Sequence, residues 1–132
     1  MSGGDSLLKA ARTARENAYA AYSGFAVGAA LQTDAGIFAG CNVENISFGL
    51  TLCAERAAVA TAIANGATEM TMLCIVTDSD RPCVPCGACR QVLAEFNPNL
   101  RVVSSTVGGD QQEFVLSKLL PQANQGLLET DV

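Results

Sequence analysis

The 132-residue chain contains no histidine and no tryptophan. Histidine is the commonest metal ligand and the commonest general base near neutral pH. Without it, any metal must be held by Cys, Asp or Glu, and any proton must move through a carboxylate, Lys or Tyr. Positive charge is scarce as well: eight Lys and Arg stand against thirteen Asp and Glu, for a net charge of −5. The eight cations are spread along the chain without a cluster, whereas binding a phosphate backbone relies on clustered Lys and Arg. This argues against a nucleic-acid substrate and for a small, uncharged or weakly charged one. Aromatic residues make up only 5%, too few for the stacking surface that single-stranded nucleic acids require. Long apolar runs are also missing. Although 49% of residues are apolar, none of the runs approaches the roughly 20 residues that cross a bilayer. The segment Met1-Ser-Gly-Gly-Asp-Ser6 lacks the basic and apolar regions of a signal peptide, so a soluble, cytoplasmic protein is expected.

The length fits a single domain over 1–132 with a substantial core. Leu7, Leu8, Ala11, Ala14, Ala18 and Ala21 recur at helical spacing and predict an amphipathic helix from about Ser6 to Tyr22, broken by Ser23-Gly24. Val27 to Thr33 and Ile37 to Cys41, joined by Asp34-Ala-Gly36, predict a β-hairpin. Asn42 to Gly49 is polar and reads as a loop. The Ala-rich stretch from Leu52 to Ala64 predicts a buried second helix ended by Asn65-Gly66. Met72 to Thr77 reads as a buried strand and Asp78 to Pro85 as a loop. A third helix is expected from Gly87 to Phe96, stopped by Asn97-Pro98. Leu100 to Ser104 and Gln112 to Leu116 read as strands, and Ser117 to Leu120 as a helical turn before a tail. Helices alternating with strands predict an α/β fold, a three-layer α/β/α arrangement around a mixed, roughly five-stranded sheet.

Six cysteines are present, and their clustering reads as metal ligation more than as a disulfide framework, which a chain of this size does not need. Three fall in Arg81-Pro-Cys-Val-Pro-Cys-Gly-Ala-Cys-Arg-Gln91, at Cys83, Cys86 and Cys89. A fourth opens Cys53-Ala-Glu-Arg56. Helix, strand, helix in succession brings the starts of the second and third helices to the same sheet edge, so Cys53, Cys86 and Cys89 are expected to converge on one zinc ion. The Cys-x-x-Cys spacing puts Cys86 and Cys89 on one helical turn, as chelation requires. Three ligands leave a fourth position open for water. Glu55 lies next to that position and would act as general acid and base. Three thiolates make such a site net negative, and Arg56, on the same helix face as Cys53, could offset this by donating to ligand sulfur. Other readings of the cysteines are a zinc clip closed by three or four thiolates, or a redox pair. Cys83 is a tempting fourth ligand, but a fourth thiolate would close the site. Cys41 and Cys74 sit in apolar strands and read as core packing.

The pairing Cys53-Ala-Glu55…Pro85-Cys86-Gly-Ala-Cys89 follows a described zinc deaminase signature, with Cys where many members have His. Together with Ala20-Ala-Tyr-Ser-Gly-Phe-Ala-Val-Gly-Ala-Ala-Leu31, Gly40-Cys-Asn-Val-Glu-Asn45 and Leu119-Leu-Pro121, it resembles the small zinc-dependent cytidine deaminases along nearly the whole chain. The resemblance implies hydrolysis of cytidine and 2′-deoxycytidine to uridine and 2′-deoxyuridine in pyrimidine salvage. It also implies one Zn2+ per chain held by Cys53, Cys86 and Cys89, a zinc-bound hydroxide as nucleophile, and Glu55 as proton shuttle. By the same resemblance Asn42 and Glu44 hydrogen-bond the ribose hydroxyl, Phe25 packs near the base, and the Ala54 backbone N–H meets the ring carbonyl. Without it, Asn42 and Glu44 would be loop-turn residues and Phe25 ordinary core. The all-cysteine site looks like the homotetrameric branch, whose pockets are shared between subunits. Two positions depart from that branch: Phe48 stands where Tyr is common, and Gln122-Ala-Asn124 follows Leu119-Leu-Pro121 where a Phe is usual. Weaker substrate binding is the expected consequence. The nearest alternative is a deaminase of another small aminopyrimidine nucleoside, of the blasticidin S type. A non-catalytic zinc-stabilised domain is the alternative from a different class.

Overall fold

The structure, a computed structural model, describes residues 3–126. Met1, Ser2 and the last six residues of the expected tail lie outside the described residues. The chain runs α1 (Gly3–Arg15), β1 (Val27–Thr33), β2 (Gly36–Cys41), α2 (Ala54–Ala64), β3 (Met70–Thr77), α3 (Gly87–Phe96), β4 (Arg101–Thr106), β5 (Gln111–Val115) and α4 (Leu116–Leu119), with a short 3-10 turn at Phe48–Leu50. The five strands form one mixed sheet in the order β2-β1-β3-β4-β5. Only β3 and β4 run parallel; the other neighbours are antiparallel. A parallel pair needs a crossover, and α3 supplies it.

Both faces of the sheet are covered, which is why β1 reads as a continuous apolar run and not as an alternating one. Leu7 and Ala11 of α1 pack on Ala30, Cys74 and Val76 on one face. On the other face, Ala54, Ala58, Val59 and Ala62 of α2 and Leu93 of α3 pack on Ala29, Leu31, Leu73, Ile75 and Val102. The three-layer α/β/α arrangement expected from the sequence is the one observed. Two glycines set how closely the layers approach. A Cβ at Gly28 would lie 1.9 Å from the Ala11 carbonyl oxygen of α1, and one at Gly40 would lie 2.5 Å from the Ala58 nitrogen of α2. Neither position has room for a side chain.

The first helix is shorter than its periodicity suggests, ending at Arg15 and not near Tyr22. Beyond it, the backbone finds tertiary partners that a helix could not use. Tyr19 N–H donates to the Asn42 carbonyl and the Tyr19 carbonyl accepts from Glu44 N–H, both at 2.9 Å. The Arg15 Nε–H also donates to the Ala26 carbonyl at 2.9 Å, tying the helix end to the entry of β1. Past Arg15 the apolar spacing marks no buried face: Ala18 is half-buried and Ala21 exposed. At the other end, Leu116 leaves the predicted strand to begin α4. Cys74 is buried and Cys41 half-buried, as packing residues would be, and burial pushes the Cys74 thiol up to about 11 against a weaker pull from Arg12.

Candidate active site

Cys53 and Cys86 occupy the same position in two helices. Each is the N-cap, of α2 and α3 respectively, with extended backbone and no capping hydrogen bond from its side chain. Cys89 lies in the first turn of α3 and is fully buried. The three sulfurs lie within 4.8 Å of one another, with Cys53 Sγ and Cys86 Sγ 3.9 Å apart. Zinc–sulfur bonds of about 2.3 Å in tetrahedral geometry place neighbouring sulfurs roughly 3.8 Å apart. A disulfide would need about 2.05 Å, and all six cysteines are free thiols.

The donor chemistry of this trio fits a dication. Burial, followed by the charge of Glu55 and of the neighbouring sulfurs, pushes the Cys89 thiol well above its ordinary value. Cys86 moves the other way. Burial opposes its ionisation, but hydrogen bonds from the Cys89 backbone and side chain, from Cys53 and from the Ala88 backbone together pull it below its ordinary value. Thiols so placed share their protons unequally, and a bound cation is what makes all three thiolates together. Arg56 stands beside them as the sequence suggested. Its Nη2 donates to Cys53 Sγ at 3.3 Å and to the Thr51 carbonyl at 3.5 Å. The bond to Cys53 raises the guanidinium pKa further. One fixed positive charge thus opposes the negative charge of the sulfur set.

Glu55 follows in the first turn of α2 and is 7% exposed. Burial raises its carboxyl above the ordinary value, with its own backbone N–H, Arg56 and Cys89 acting in the opposite direction. A carboxyl moved toward neutrality can both take and return a proton.

A cavity of about 260 Å³ opens beside these groups, and its walls include Phe25, Asn42, Glu44, Cys53, Ala54 and Glu55. Asn42 holds the segment that carries Phe25: its Oδ1 accepts from Val27 N–H and its Nδ2 donates to the Phe25 carbonyl, each at 2.8 Å. Glu44 Oε1 accepts from Tyr22 N–H at 2.9 Å and Ser23 N–H at 3.0 Å, while Oε2 accepts from Ser23 Oγ. Both residues therefore shape the rim, and the Glu44 carboxylate keeps further acceptor capacity. Ala54 is the first residue of α2 and fully buried, so its N–H belongs to the unsatisfied donors of a helix start. Phe48 does not reach this cavity. It sits on the 3-10 turn and is 77% exposed.

Cys83 lies outside the three-sulfur cluster. It lines the cavity with Thr51, Thr77 and Val84, none of which the sequence alone brought forward. For Thr77 a signal was available, since it ends a buried strand at the sheet edge where ligands bind. Arg90, inside the Pro-Cys-x-x-Cys-Arg run, fixes the ligand loop: Nε donates to the Pro85 carbonyl at 2.8 Å and Nη1 to the Leu119 carbonyl at 3.1 Å.

Two helix starts, three thiols and a buried carboxyl beside a cleft define a zinc hydrolase site on a layered α/β domain. The family model for the cytidine and deoxycytidylate deaminase zinc-binding region matches residues 1–105. The chain is 48% identical over 119 residues to a cytidine deaminase of Halalkalibacterium halodurans, covering 89% of this chain and 90% of that protein. It is 45% identical to one of Sporosarcina psychrophila, covering 90% and 89%. Among solved structures, the cytidine deaminase of Burkholderia pseudomallei superposes with a TM-score of 0.86 at 46% identity, covering 92% of this chain and 98% of that one. That of Mycobacterium tuberculosis gives 0.81 at 40% identity, covering 96% and 100%. The chain belongs to the cytidine and deoxycytidylate deaminase family. It is a zinc-dependent hydrolytic enzyme, with one Zn2+ per chain assigned to the three-cysteine site.

Proposed function

We propose that the protein hydrolyses cytidine and 2′-deoxycytidine to uridine and 2′-deoxyuridine, releasing ammonia. The observation that carries this reading is the convergence of Cys53, Cys86 and Cys89 beside a buried Glu55, at one end of a cleft with nucleoside-sized polar and apolar walls. Zinc, when bound, supplies the Lewis acidity that makes water a nucleophile at neutral pH. Glu55 takes a proton from that water as oxygen bonds to C4, and delivers it to N3. It then passes the second proton to the exocyclic nitrogen, so that the C4–N bond breaks and ammonia leaves. The raised carboxyl pKa suits this exchange. Phe25 packs against the base and the Ala54 N–H meets the ring carbonyl, while Asn42 and Glu44 hold the ribose hydroxyl. A few placed polar groups in an otherwise apolar pocket are what orient such a ligand.

The finer assignments rest on supporting features. Tyr19, Val43, Ile46, Phe48, Leu50 and Leu52 are exposed on the segments 19–25 and 42–52, which also contribute cavity walls, and this supports a homotetramer in which a neighbouring copy covers them and in which Phe48 serves a neighbour's pocket. Six free thiols, three of them needed as ligands, suit the reducing cytoplasm. A single domain over 1–132 and a role in pyrimidine salvage complete the reading.

The test is ultraviolet-monitored conversion of cytidine by the zinc-loaded protein, beside a chelator-treated control. Metal-dependent formation of uridine is the expected result. Glu55→Gln should lower turnover by about 10²–10⁴-fold with one zinc still bound. A Glu55→Gln protein as active as wild type would remove the proton shuttle from this account.

A further inference from the structure

The turn that follows β3 is organised on one hydroxyl. Ser79 Oγ lies 2.7 Å from Thr77 Oγ1, 2.7 Å from the Arg81 carbonyl oxygen and 3.4 Å from Cys83 Sγ. A serine hydroxyl has one proton to donate and two lone pairs to accept with. The Arg81 carbonyl can only accept, so the single Ser79 proton goes there. Thr77 then donates to Ser79, and the Cys83 thiol donates either to Ser79 Oγ or to the Arg81 carbonyl oxygen, 3.8 Å away. With their own protons committed, the Thr77 oxygen and the Cys83 sulfur retain only lone pairs.

Thr77 and Cys83 both line the cavity, whereas Ser79 does not. The segment runs from the C-terminal end of β3 to the ligand Cys86, so its lining residues belong to the end of the cavity near the thiols. Resting on the proposed deamination, that end receives C4 of the pyrimidine and the group attached to it. A 4-amino group is a hydrogen-bond donor; the 4-carbonyl of the product is an acceptor only. We infer that Ser79 is a positioning residue that fixes the Thr77–Cys83 wall as hydrogen-bond acceptors, so that the cleft favours a 4-amino nucleoside over its 4-oxo product. A carbonyl facing acceptors is desolvated without a partner, and a site arranged for an N–H rejects the analogue lacking it. The oxygen of Thr77 carries most of the effect, since sulfur is the weaker acceptor.

Removing the Ser79 hydroxyl frees the Thr77 hydroxyl to rotate and donate, and the wall then accommodates a carbonyl. The experiment compares KM and kcat for cytidine, the inhibition constant for uridine, and zinc content, in the full-length zinc-loaded protein. For Ser79→Ala we expect one zinc per chain and kcat close to wild type. The ratio of the uridine inhibition constant to the cytidine KM should fall about tenfold, the scale of one lost neutral hydrogen bond. Ser79→Thr, which keeps the hydroxyl, should restore it. Thr77→Val keeps the side-chain shape but removes the acceptor and should lower the same ratio, giving an independent reading should Ser79→Ala fold poorly. Mere loosening of the turn would weaken cytidine and uridine alike and leave the ratio unmoved; that outcome overturns the inference while the deamination stands. A wild-type protein that forms no uridine from cytidine would overturn the proposed function, and this inference with it.

Discussion

The thiol end of the cleft is assembled from two helix starts, whereas much of the remaining wall comes from the loop segments 19–25 and 42–52. At the thiol end, Cys89, Ala54 and Glu55 are buried, Arg56 contacts a sulfur, and Arg90 ties the ligand loop to α4. On the second of these loop segments Ile46 is 78% and Leu50 72% exposed, and large exposed apolar patches mark places of contact. The contrast separates chemistry from recognition. The chemistry is fixed by rigid elements, which hold geometry better than loops do. The remaining wall is left to loop segments.

The largest effect that would break this contrast is loss of a ligand. Cys86→Ser should drop zinc content below one per chain and reduce activity beyond the roughly 10⁴-fold upper range for loss of a proton shuttle alone. Because a metal held there would join the starts of α2 and α3, the variant should also melt at lower temperature, and added zinc should raise the melting point of the wild type but not of the variant. Zinc retention measured by metal analysis, with normal melting, would show that the other two thiols and Glu55 suffice.

A smaller effect is expected at the rim. Phe48→Glu places a charge on the exposed 3-10 turn without touching the cavity of its own chain. If a second copy covers this surface, the variant should shift to smaller species in light scattering. Its KM for cytidine should rise about tenfold while zinc content stays at one per chain, because burying an unpaired charge in an interface costs at least one such step. An unchanged mass and KM would show that the rim needs no partner, and the two ends of the cleft would then be equally self-sufficient.

The same contrast governs what could be read from the sequence. Cys53 with Glu55, and Cys86 with Cys89, are each local in spacing, and helix starts carry local signals, so the convergence of the two pairs followed from the order of elements. The hairpin of Val27–Thr33 with Gly36–Cys41 and the helix at Gly87–Phe96 were legible for the same reason. The Thr77–Ser79–Cys83 network was not, because hydroxyl and thiol partners inside a turn leave no periodic trace. Nor was the end of α1: its residues trade helical bonds for partners at Asn42 and Glu44, more than twenty positions away. Asn42 and Glu44 were singled out by resemblance alone. Their clamping of Phe25 and Ser23 depends on which loops meet in space, and no residue type at that spacing announces it.

The finest distinction concerns Glu44, a charged group placed on the rim and not at the metal. Ser23, through its hydroxyl and its backbone N–H, and then the Tyr22 N–H, hold the carboxyl below its ordinary value of 4.5. A group with a depressed pKa in the folded state stabilises it fully above the unfolded value, and this contribution is lost as pH falls below 4.5 toward the folded value. Glu44→Gln keeps an oxygen for the two N–H groups but cannot titrate. Melting temperature followed from pH 6 downward should therefore fall less steeply for Glu44→Gln than for wild type once pH passes below 4.5. At pH 7 the variant should melt only slightly lower, by no more than about 5 °C, because the site is exposed and solvent screens it. Protonation of the thiolates releases zinc in acid for both proteins alike, so the difference between the two curves isolates the rim. Parallel curves would mean that Ser23 and Tyr22 hold the carboxylate no better than water does, and the rim would then owe its shape to Asn42 alone.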